Sequence, residues 1–178
     1  MLSITDLISD YGDPREEAMR CRQDCALFDF SFVYRVRVSG RDAIHKIEHF
    51  QPRMVCDMSI GQIRYSVKND SQGRVRSDLT LWRFSENAFE IMSGCEEDII
   101  ELRTLEEEGF NLIDLSEKTA IFALQGPNTL SQLAGLMDTE SLQKLAYFSF
   151  MQAEISGISC LVGRLGYSGE AGFELVIE

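Results

Sequence analysis

Hydrophobic and polar residues recur with two different periods along this chain, and the period changes from segment to segment. Between residues 28 and 38 the side chains alternate, with Val36 and Val38 on the face opposite to the arginines at 35 and 37, as in a half-buried strand. From Arg41 to Phe50 the spacing is helical, and Ile47 is among the inward positions. Because hairpins and helices are mixed along the chain, the pattern predicts an α+β fold of antiparallel hairpins with packed helices.

Two of the predicted helices carry recognisable ends. Asp13 is placed to cap a helix that has Pro14 in its first turn and Glu16 closing a capping box, and this helix should run to about Cys25. The stretch EEDIIELRTLEEEG has an amphipathic pattern, and Gly109 is expected to stop it. The other predicted elements are a hairpin at 61–84, strands at 87–93, 110–115, 120–124, 152–156 and 159–165, and helices around 128–137 and 140–146.

Composition restricts the classes of partner. The chain has 178 residues and a net charge of −12, which argues against a nucleic-acid or anionic membrane partner because both would be repelled. No apolar run approaches the length of a membrane span. The opening residues, MLSITDLISDYGDP, resemble neither a secretory signal nor a transit peptide. The length suffices for one ordinary domain or two very small ones, and no internal repeat or low-complexity linker is evident.

The cysteines and histidines do not suggest a metal centre. Five cysteines occur, and no pair has the spacing of a zinc site. The two histidines, His45 and His49, lie four residues apart on a predicted helix, where they could chelate a metal or simply face solvent. Because further ligands are not evident, we predict no metal site. Reduced thiols in a cytoplasm are the simplest account of the odd cysteine count.

The predicted hairpin at 61–84 brings a tyrosine and a carboxylate together. If its loop is centred between residues 71 and 72, Tyr65 faces Asp78, and Asp78 shares a face with Trp82. A carboxylate on an aromatic face needs a partner, since burying it unpaired is costly. Pairing with Arg76 or Arg83 at a sheet rim is an alternative role for Asp78, and a one-residue slip would separate it from the tyrosine.

The end of the sequence, GRLGYSGEAGFELVIE, has the same kind of pair. A turn centred between residues 170 and 171 places Tyr167 opposite Glu174, and Gly169 and Gly172 can supply positive φ angles for a tight loop. An ordinary hairpin tip with solvated acids is the alternative interpretation. The glycine pattern does not match a phosphate-binding loop.

These segments together resemble the aminomethyltransferase family, the T-protein of the glycine cleavage system. GRLGYSGEAGFELVI resembles the family's GYTGE-x-GFE signature, and DPREEAMRCRQDCALFDFS resembles its N-terminal helix and following strand. VSGRDA, NDSQGRVRSDLTLWRF and FALQGPN resemble three further family motifs in the same order. SDLT is closer to the folate domains of dimethylglycine and sarcosine dehydrogenases than the usual DDL, because Ser77 replaces the first acid. The resemblance extends over nearly the whole chain.

The resemblance implies a set of tetrahydrofolate contacts. The acid of the DDL or SDL segment corresponds to Asp78, which would be the catalytic residue opposing positive charge near the folate nitrogens N5 and N10. Tyr65 and Trp82 would contact the folate from the same hairpin. Tyr167 and Glu174 would form a wall of the pterin pocket, where a carboxylate can accept from the pterin's 2-amino and N3–H groups.

The implied activity is transfer of an aminomethyl group from the lipoyl-carrying H-protein to tetrahydrofolate. Family members continue past the GFE motif, so residues 1–178 would be the N-terminal part of the folate-binding domain, without its remainder and the C-terminal β-barrel. Two alternatives follow: a non-catalytic folate-binding paralogue, or one half of a split protein completed by a second chain. A folate-binding iron–sulfur assembly factor would carry a K-G-C-x-x-G-Q-type motif, which the sequence lacks.

Overall fold

The structure is a computed structural model that describes residue 5 and residues 8–178. Residues 1–4, 6 and 7, part of the segment from which the lack of a signal sequence was predicted, lie outside the described residues. Within the described chain, no helix is long and apolar enough to cross a membrane. The helices are α1 (Pro14–Gln23), α2 (Ala43–Phe50), α3 (Glu96–Arg103), α4 (Thr129–Leu133) and α5 (Thr139–Lys144). The strands are β1 (Ala26–Asp29), β2 (Tyr34–Ser39), β3 (Ile63–Asn69), β4 (Val75–Ser85), β5 (Ala88–Ser93), β6 (Asn111–Asp114), β7 (Ala120–Gln125), β8 (Phe150–Ile155), β9 (Ile158–Gly163) and β10 (Gly172–Ile177).

The strands form two antiparallel sheets, each within its own compact unit. The continuous unit, Val33–Lys118, holds the sheet with strand order β3-β4-β5-β2-β6. The discontinuous unit combines the described residues up to Phe32 with Thr119–Glu178, and it holds the sheet β1-β7-β10-β9-β8. The α+β class with antiparallel hairpins is therefore confirmed.

Each unit has a core built on one face of its sheet. In the continuous unit the buried cluster includes Val36 and Val38 of β2 together with Ile47 of α2 and Leu102 of α3. In the discontinuous unit Phe173 and Leu175 of β10 pack among the buried residues around α4 and α5. Burying these apolar side chains contributes roughly 1.5–3 kcal/mol each relative to exposure, so both helix layers are fixed on their sheets.

The start of α1 was predicted correctly in its main feature. The Asp13 carboxylate accepts a hydrogen bond from the backbone N–H of Arg15 at 2.8 Å, and Pro14 begins the helix. The acid that reaches back across the helix start is Glu17 rather than Glu16, since its carboxylate accepts from the backbone N–H of Tyr11 at 2.6 Å. The helix ends at Gln23, close to the predicted end.

Two predicted elements have different bounds. The single strand expected over residues 28–38 is divided into β1 and β2, because the Asp29 carboxylate accepts from the backbone N–H of Ser31 and turns the chain. Helix α3 ends at Arg103 instead of reaching Gly109. The Thr104 hydroxyl donates to the carbonyl of Glu101 at 2.7 Å, which closes the last turn.

Candidate functional site

Three predicted site residues lie on the β3–β4 hairpin of the continuous unit. The predicted register is wrong, because Tyr65 pairs with Thr80 and Asp78 pairs with Val67. The pairing is displaced by two residues, which keeps the parity of the side chains. Tyr65 and Asp78 therefore still share a face as diagonal neighbours, and Asp78 is near enough to add to the effect of burial in raising the pKa of the Tyr65 phenol.

Two local features cause the displacement. Asn69 pairs with Val75, so the loop contains residues 70–74 instead of the expected 70–73. The Asp70 carboxylate closes this loop by accepting from the backbone N–H groups of residues 72 and 74 at 2.8 and 3.0 Å. Arg76 is then an extra residue on β4, which forms a β-bulge and shifts the register by one more position.

The surroundings of Tyr65 and Asp78 fit a paired site at the surface of the sheet. Tyr65 is 37% exposed, and partial burial, followed by the neighbouring Asp78 carboxylate, raises the pKa of its phenol. The alternative pairing of Asp78 with an arginine is not what the structure contains. Arg76 donates to Asp98 at 3.1 Å, and Arg83 donates to backbone carbonyls of residues 55–58.

Trp82 lies on the same face of β4 but has no exposed surface. Its relative exposure is 0%, and its indole N–H donates to the hydroxyl of Thr80 at 3.0 Å. The tryptophan consequently supports the strand next to Asp78, and a direct contact between Trp82 and folate stays a prediction.

A buried charged cluster on this face was missed by the sequence analysis. Glu90 pairs with both Trp82 and Arg37 across the sheet and is 0% exposed. Its carboxylate accepts from Arg35 Nε at 2.8 Å and from Arg37 Nη2 at 2.5 Å. The alternation that places both arginines on one face of β2 was visible in the sequence, whereas their shared carboxylate on β5 depends on the strand order.

The other two predicted residues lie in the discontinuous unit, where the predicted turn position and the pairing of Tyr167 with Glu174 are wrong. Glu174 pairs with Gly163 on β9 and Ala123 on β7, and Tyr167 lies in the loop 164–171 instead of in a strand. Gly169 has the predicted positive φ of 80°. Gly172 is needed for close approach instead, because a Cβ there would lie 2.3 Å from the carbonyl oxygen of Leu124.

Glu174 is a buried carboxylate with an oxygen that no described residue satisfies. It lies on the central strand of its sheet, and 5% of it is exposed. Its Oε1 is the one buried side-chain nitrogen or oxygen, among the described residues, that has no hydrogen-bond partner. Burial raises the pKa of this carboxyl to about 7, since the charged form loses its solvation. The expectation of a solvated acid at a hairpin tip is wrong for Glu174.

Tyr167 forms part of an aromatic cavity in the same unit. Its ring is 60% exposed and meets the ring of Phe30 edge to face, with the centroids 6.0 Å apart. The cavity has a volume of about 310 Å³. Its wall residue Phe28 pairs with Ala123, which also pairs with Glu174, so Phe28 and Glu174 lie on one row about 10 Å apart at ordinary strand spacing. The lining residues are Ala18, Cys21, Arg22, Phe28, Phe30, Gln125, Tyr167 and Ser168.

An ion pair joins α1 to the loop 164–171 beside this cavity. Arg22 Nη1 donates to Glu170 at 2.9 Å and to the carbonyl of Ser168 at 2.5 Å. The Ser168 hydroxyl donates to Gln125 at 3.0 Å. These contacts fix the loop that carries Tyr167.

Over the described residues, no group of three His, Cys, Asp or Glu side chains could hold a metal ion.

Comparisons with known proteins identify the family. The profile of the family described as GCVT N-terminal domain matches residues 11–178. The aminomethyltransferase of Thermotoga sp. (strain RQ2) is 31% identical over 168 residues, which cover 92% of this chain and 46% of that protein. The aminomethyltransferase of Bacillus velezensis is 32% identical and covers 96% and 47%, respectively. The chain thus spans about half the length of these relatives.

Solved structures match the fold. The glycine cleavage system aminomethyltransferase T from Bartonella henselae superposes with a TM-score of 0.77 at 25% identity, covering 91% of this chain and 44% of that one. A chain of the heterotetrameric sarcosine oxidase from Corynebacterium sp. U-96 has the same fold, with a TM-score of 0.63 at 14% identity and coverage of 91% and 81%. With the profile match over nearly its whole length, this chain belongs to the GCVT N-terminal domain family, the family of the glycine cleavage T-protein aminomethyltransferases.

Proposed function

We propose that this chain is the N-terminal part of a tetrahydrofolate-binding domain and takes part in transfer of an aminomethyl group. The observation that carries the proposal is the buried Glu174 carboxylate, whose Oε1 has no partner among the described residues. An unpaired buried carboxylate costs stability, so its retention is best explained by a ligand that supplies the missing donors. The relatives named aminomethyltransferase support this interpretation.

The pterin ring of tetrahydrofolate offers donors that suit Glu174. Its 2-amino group and N3–H point in parallel, and a carboxylate can accept both in a bidentate arrangement. Ala123 and Gly163 lie directly opposite on the neighbouring strands, and neither carries a side-chain donor that could compete. The ionised form of Glu174 would therefore be favoured by the pterin and disfavoured in the free protein.

Asp78 would act on the charge that develops during transfer. Tetrahydrofolate, when bound, supplies the amine that accepts the one-carbon unit. The Asp78 carboxylate would stabilise positive charge near that amine, and the neighbouring Tyr65 would hold the carboxylate in one orientation. Trp82 holds the hydroxyl of Thr80, the strand partner of Tyr65, through its indole N–H. Tyr167 would contribute an aromatic contact to the folate from its exposed ring.

The donor we propose is the aminomethyl group carried by the lipoyl H-protein. The SDL segment does not argue for a different donor, because Ser77 and Asp78 lie on opposite faces of β4. Ser77 donates to Asp98 at 2.6 Å, on the face away from Tyr65. The substitution at position 77 thus leaves the proposed reacting face unchanged.

Titration calorimetry with tetrahydrofolate tests the binding half of the proposal. Glu174→Gln replaces one acceptor oxygen with a donor that faces the pterin's own donors, and we expect a loss of roughly 1–3 kcal/mol in binding free energy. Glu154→Gln is a matched control, because Glu154 is exposed on β8 of the same sheet. Equal affinities of the two variants would remove Glu174 from the pterin site.

The transfer half needs a separate measurement. Formation of methylene-tetrahydrofolate is followed after mixing the protein with tetrahydrofolate and aminomethyl-loaded H-protein. Turnover would support aminomethyltransferase activity. Folate binding without turnover, with the affinity sensitive to Glu174→Gln, would instead identify a non-catalytic folate-binding protein.

A further inference from the structure

Asp98, on α3, is a buried carboxylate close to the β4 segment that carries Asp78. It is 0% exposed and accepts three hydrogen bonds from side chains of the sheet. Ser77 Oγ donates to Oδ2 at 2.6 Å, Ser93 Oγ donates to the same oxygen at 2.7 Å, and Arg76 Nη2 donates to Oδ1 at 3.1 Å. Arg76 and Ser77 directly precede Asp78, and Ser93 is the last residue of β5.

The position of this carboxylate coincides with a gap in the strand pairing. On the β5 side, β4 is paired only from Leu79 to Ser85, because Leu79 pairs with Ser93, where β5 ends. Residues 75–78 have β3 as their one neighbouring strand, and the bulge at Arg76 interrupts even that pairing. Asp78 therefore lies on a strand segment that the backbone ladder holds from one side only.

Asp98 closes this gap with side-chain hydrogen bonds. Its carboxylate joins Ser77 of the one-sided segment to Ser93 at the end of β5, and Arg76 adds a charged contact. The Ser93 hydroxyl also accepts from the backbone N–H of Cys95 at 3.1 Å, which ties the start of α3 to the same point. Hydrogen bonds to an ionised acceptor are short and directional, so they restrict the position of the strand.

We propose that Asp98 is a positioning residue that fixes the β4 segment and thereby holds Asp78 beside its diagonal neighbour Tyr65. The inference deepens the proposed function, on which the importance of Asp78 for transfer rests. Asp98 lies on the opposite face of the sheet from Asp78, so it acts through the backbone of Ser77 and does not touch the folate.

The test reads the Tyr65–Asp78 contact directly, without folate. The ring of Tyr65 is titrated by NMR in the folded chain carrying labelled tyrosine, and Tyr65→Phe assigns its signal. In the wild type we expect a phenol pKa above the ordinary value of 10.0, because partial burial and then the neighbouring Asp78 carboxylate disfavour the phenolate. Ser77→Ala and Asp98→Asn should move the pKa back toward 10.0, while Ser77→Thr keeps the hydroxyl and should restore it.

A destabilising control separates positioning from general loss of stability. Ile99→Val removes one buried methyl group from the same helix without changing a hydrogen bond, and it should leave the Tyr65 titration unchanged. If Ser77→Ala and Asp98→Asn, measured in folded protein, titrate like the wild type, the positioning role is wrong. If Asp98→Asn does not fold, Ser77→Ala and Ser77→Thr decide the question by themselves.

A second measurement links the contact to function. Tetrahydrofolate affinity and transfer rate are compared for Ser77→Ala and Ser77→Thr, and we expect the alanine variant alone to lose roughly tenfold in rate. A normal rate combined with a lowered Tyr65 pKa would show that the contact is not needed for transfer, which overturns the functional part. The wild type could fail to bind folate while the Tyr65 titration responds as predicted. That result would refute the proposed function and leave the structural role of Asp98 supported.

Discussion

Glu174 and Asp98 are both buried carboxylates, one in each unit, and they differ in how the chain satisfies them. Asp98 receives three hydrogen bonds from its own sheet, whereas Oε1 of Glu174 receives none from the described residues. The first arrangement stabilises a strand that lacks a neighbour. The second costs stability, and burial alone raises the pKa of Glu174 to about 7.

The residues beside each carboxylate account for this difference. Asp98 is surrounded by two serine hydroxyls and an arginine, while the strand partners of Glu174 are Ala123 and Gly163. Small neighbours without donors leave the carboxylate available to another molecule. The comparison suggests that partner count separates carboxylates kept for the fold from those kept for a ligand, and the predictions below test this distinction.

The largest expected effect concerns Asp78, which has a tyrosine partner and lies between these two extremes. Asp78→Asn keeps the shape and one acceptor but loses the charge that opposes the developing cation. We expect the transfer rate to fall roughly 10²–10³-fold, with a smaller change in folate affinity. The rate of methylene-tetrahydrofolate formation and calorimetric affinity are compared. Equal losses in both would make Asp78 a binding residue.

Removal of the Asp98 charge should be the largest loss of stability in the set. Asp98→Asn presents an amide to two hydroxyls and an arginine, and we expect the free energy of unfolding to fall by roughly 3 kcal/mol. Urea denaturation measures the change. Asp42→Asn is a control, because Asp42 is a carboxylate of the same unit whose side chain is 42% exposed. A loss no larger than that of the control would contradict the assignment of Asp98 to the fold.

Glu174→Gln should have the opposite sign. The folded protein holds a proton on Glu174 up to about pH 7, and the unfolded chain releases it near 4.5, so stability falls as pH rises through that window. Removing the charge should therefore stabilise the free protein by roughly 3 kcal/mol at pH 8 and have little effect near pH 4. Urea denaturation at both pH values checks this, and destabilisation at pH 8 would refute it.

The pH dependence of folate affinity is the smallest predicted effect. If the pterin binds only to the ionised form of Glu174, binding below pH 7 must release a proton from this carboxyl. Affinity should then decrease by up to about tenfold per pH unit below 7 and become constant above pH 8. Calorimetry in buffers of different ionisation enthalpy would detect the released proton. A flat profile between pH 5.5 and 8 would show that the carboxyl does not accept from the ligand.

Much of the local structure could be predicted from the sequence. Asp13 and Pro14 placed the start of α1, and the two periods located most of the strands. The placement of Tyr65 and Asp78 on one face was also correct, although the register was displaced by two residues. The two residues still share a face because loop 70–74 and the bulge at Arg76 each shift the register by one residue, and a shift of two residues returns a side chain to the same face.

The burial of Glu174 could not be predicted in this way. Its motif is rich in glycine and acidic residues, which locally indicates a solvated hairpin tip. β10 instead lies between β7 and β9, so its neighbours come from residues 120–125 and 158–163, and these remove water from the carboxylate. The same holds for Asp98, since the three donors that reach it come from the strands β4 and β5.

The sequence by itself determined the family motifs, the helix starts and the alternation that divides each strand into two faces, because these depend on neighbouring residues. The tertiary structure decided the strand order, the register and the solvent exposure of each carboxylate. The physical reason is that desolvation and hydrogen-bond satisfaction depend on atoms contributed by distant segments. For that reason Asp98 ends with three hydrogen bonds, whereas Glu174 ends with an unpartnered oxygen.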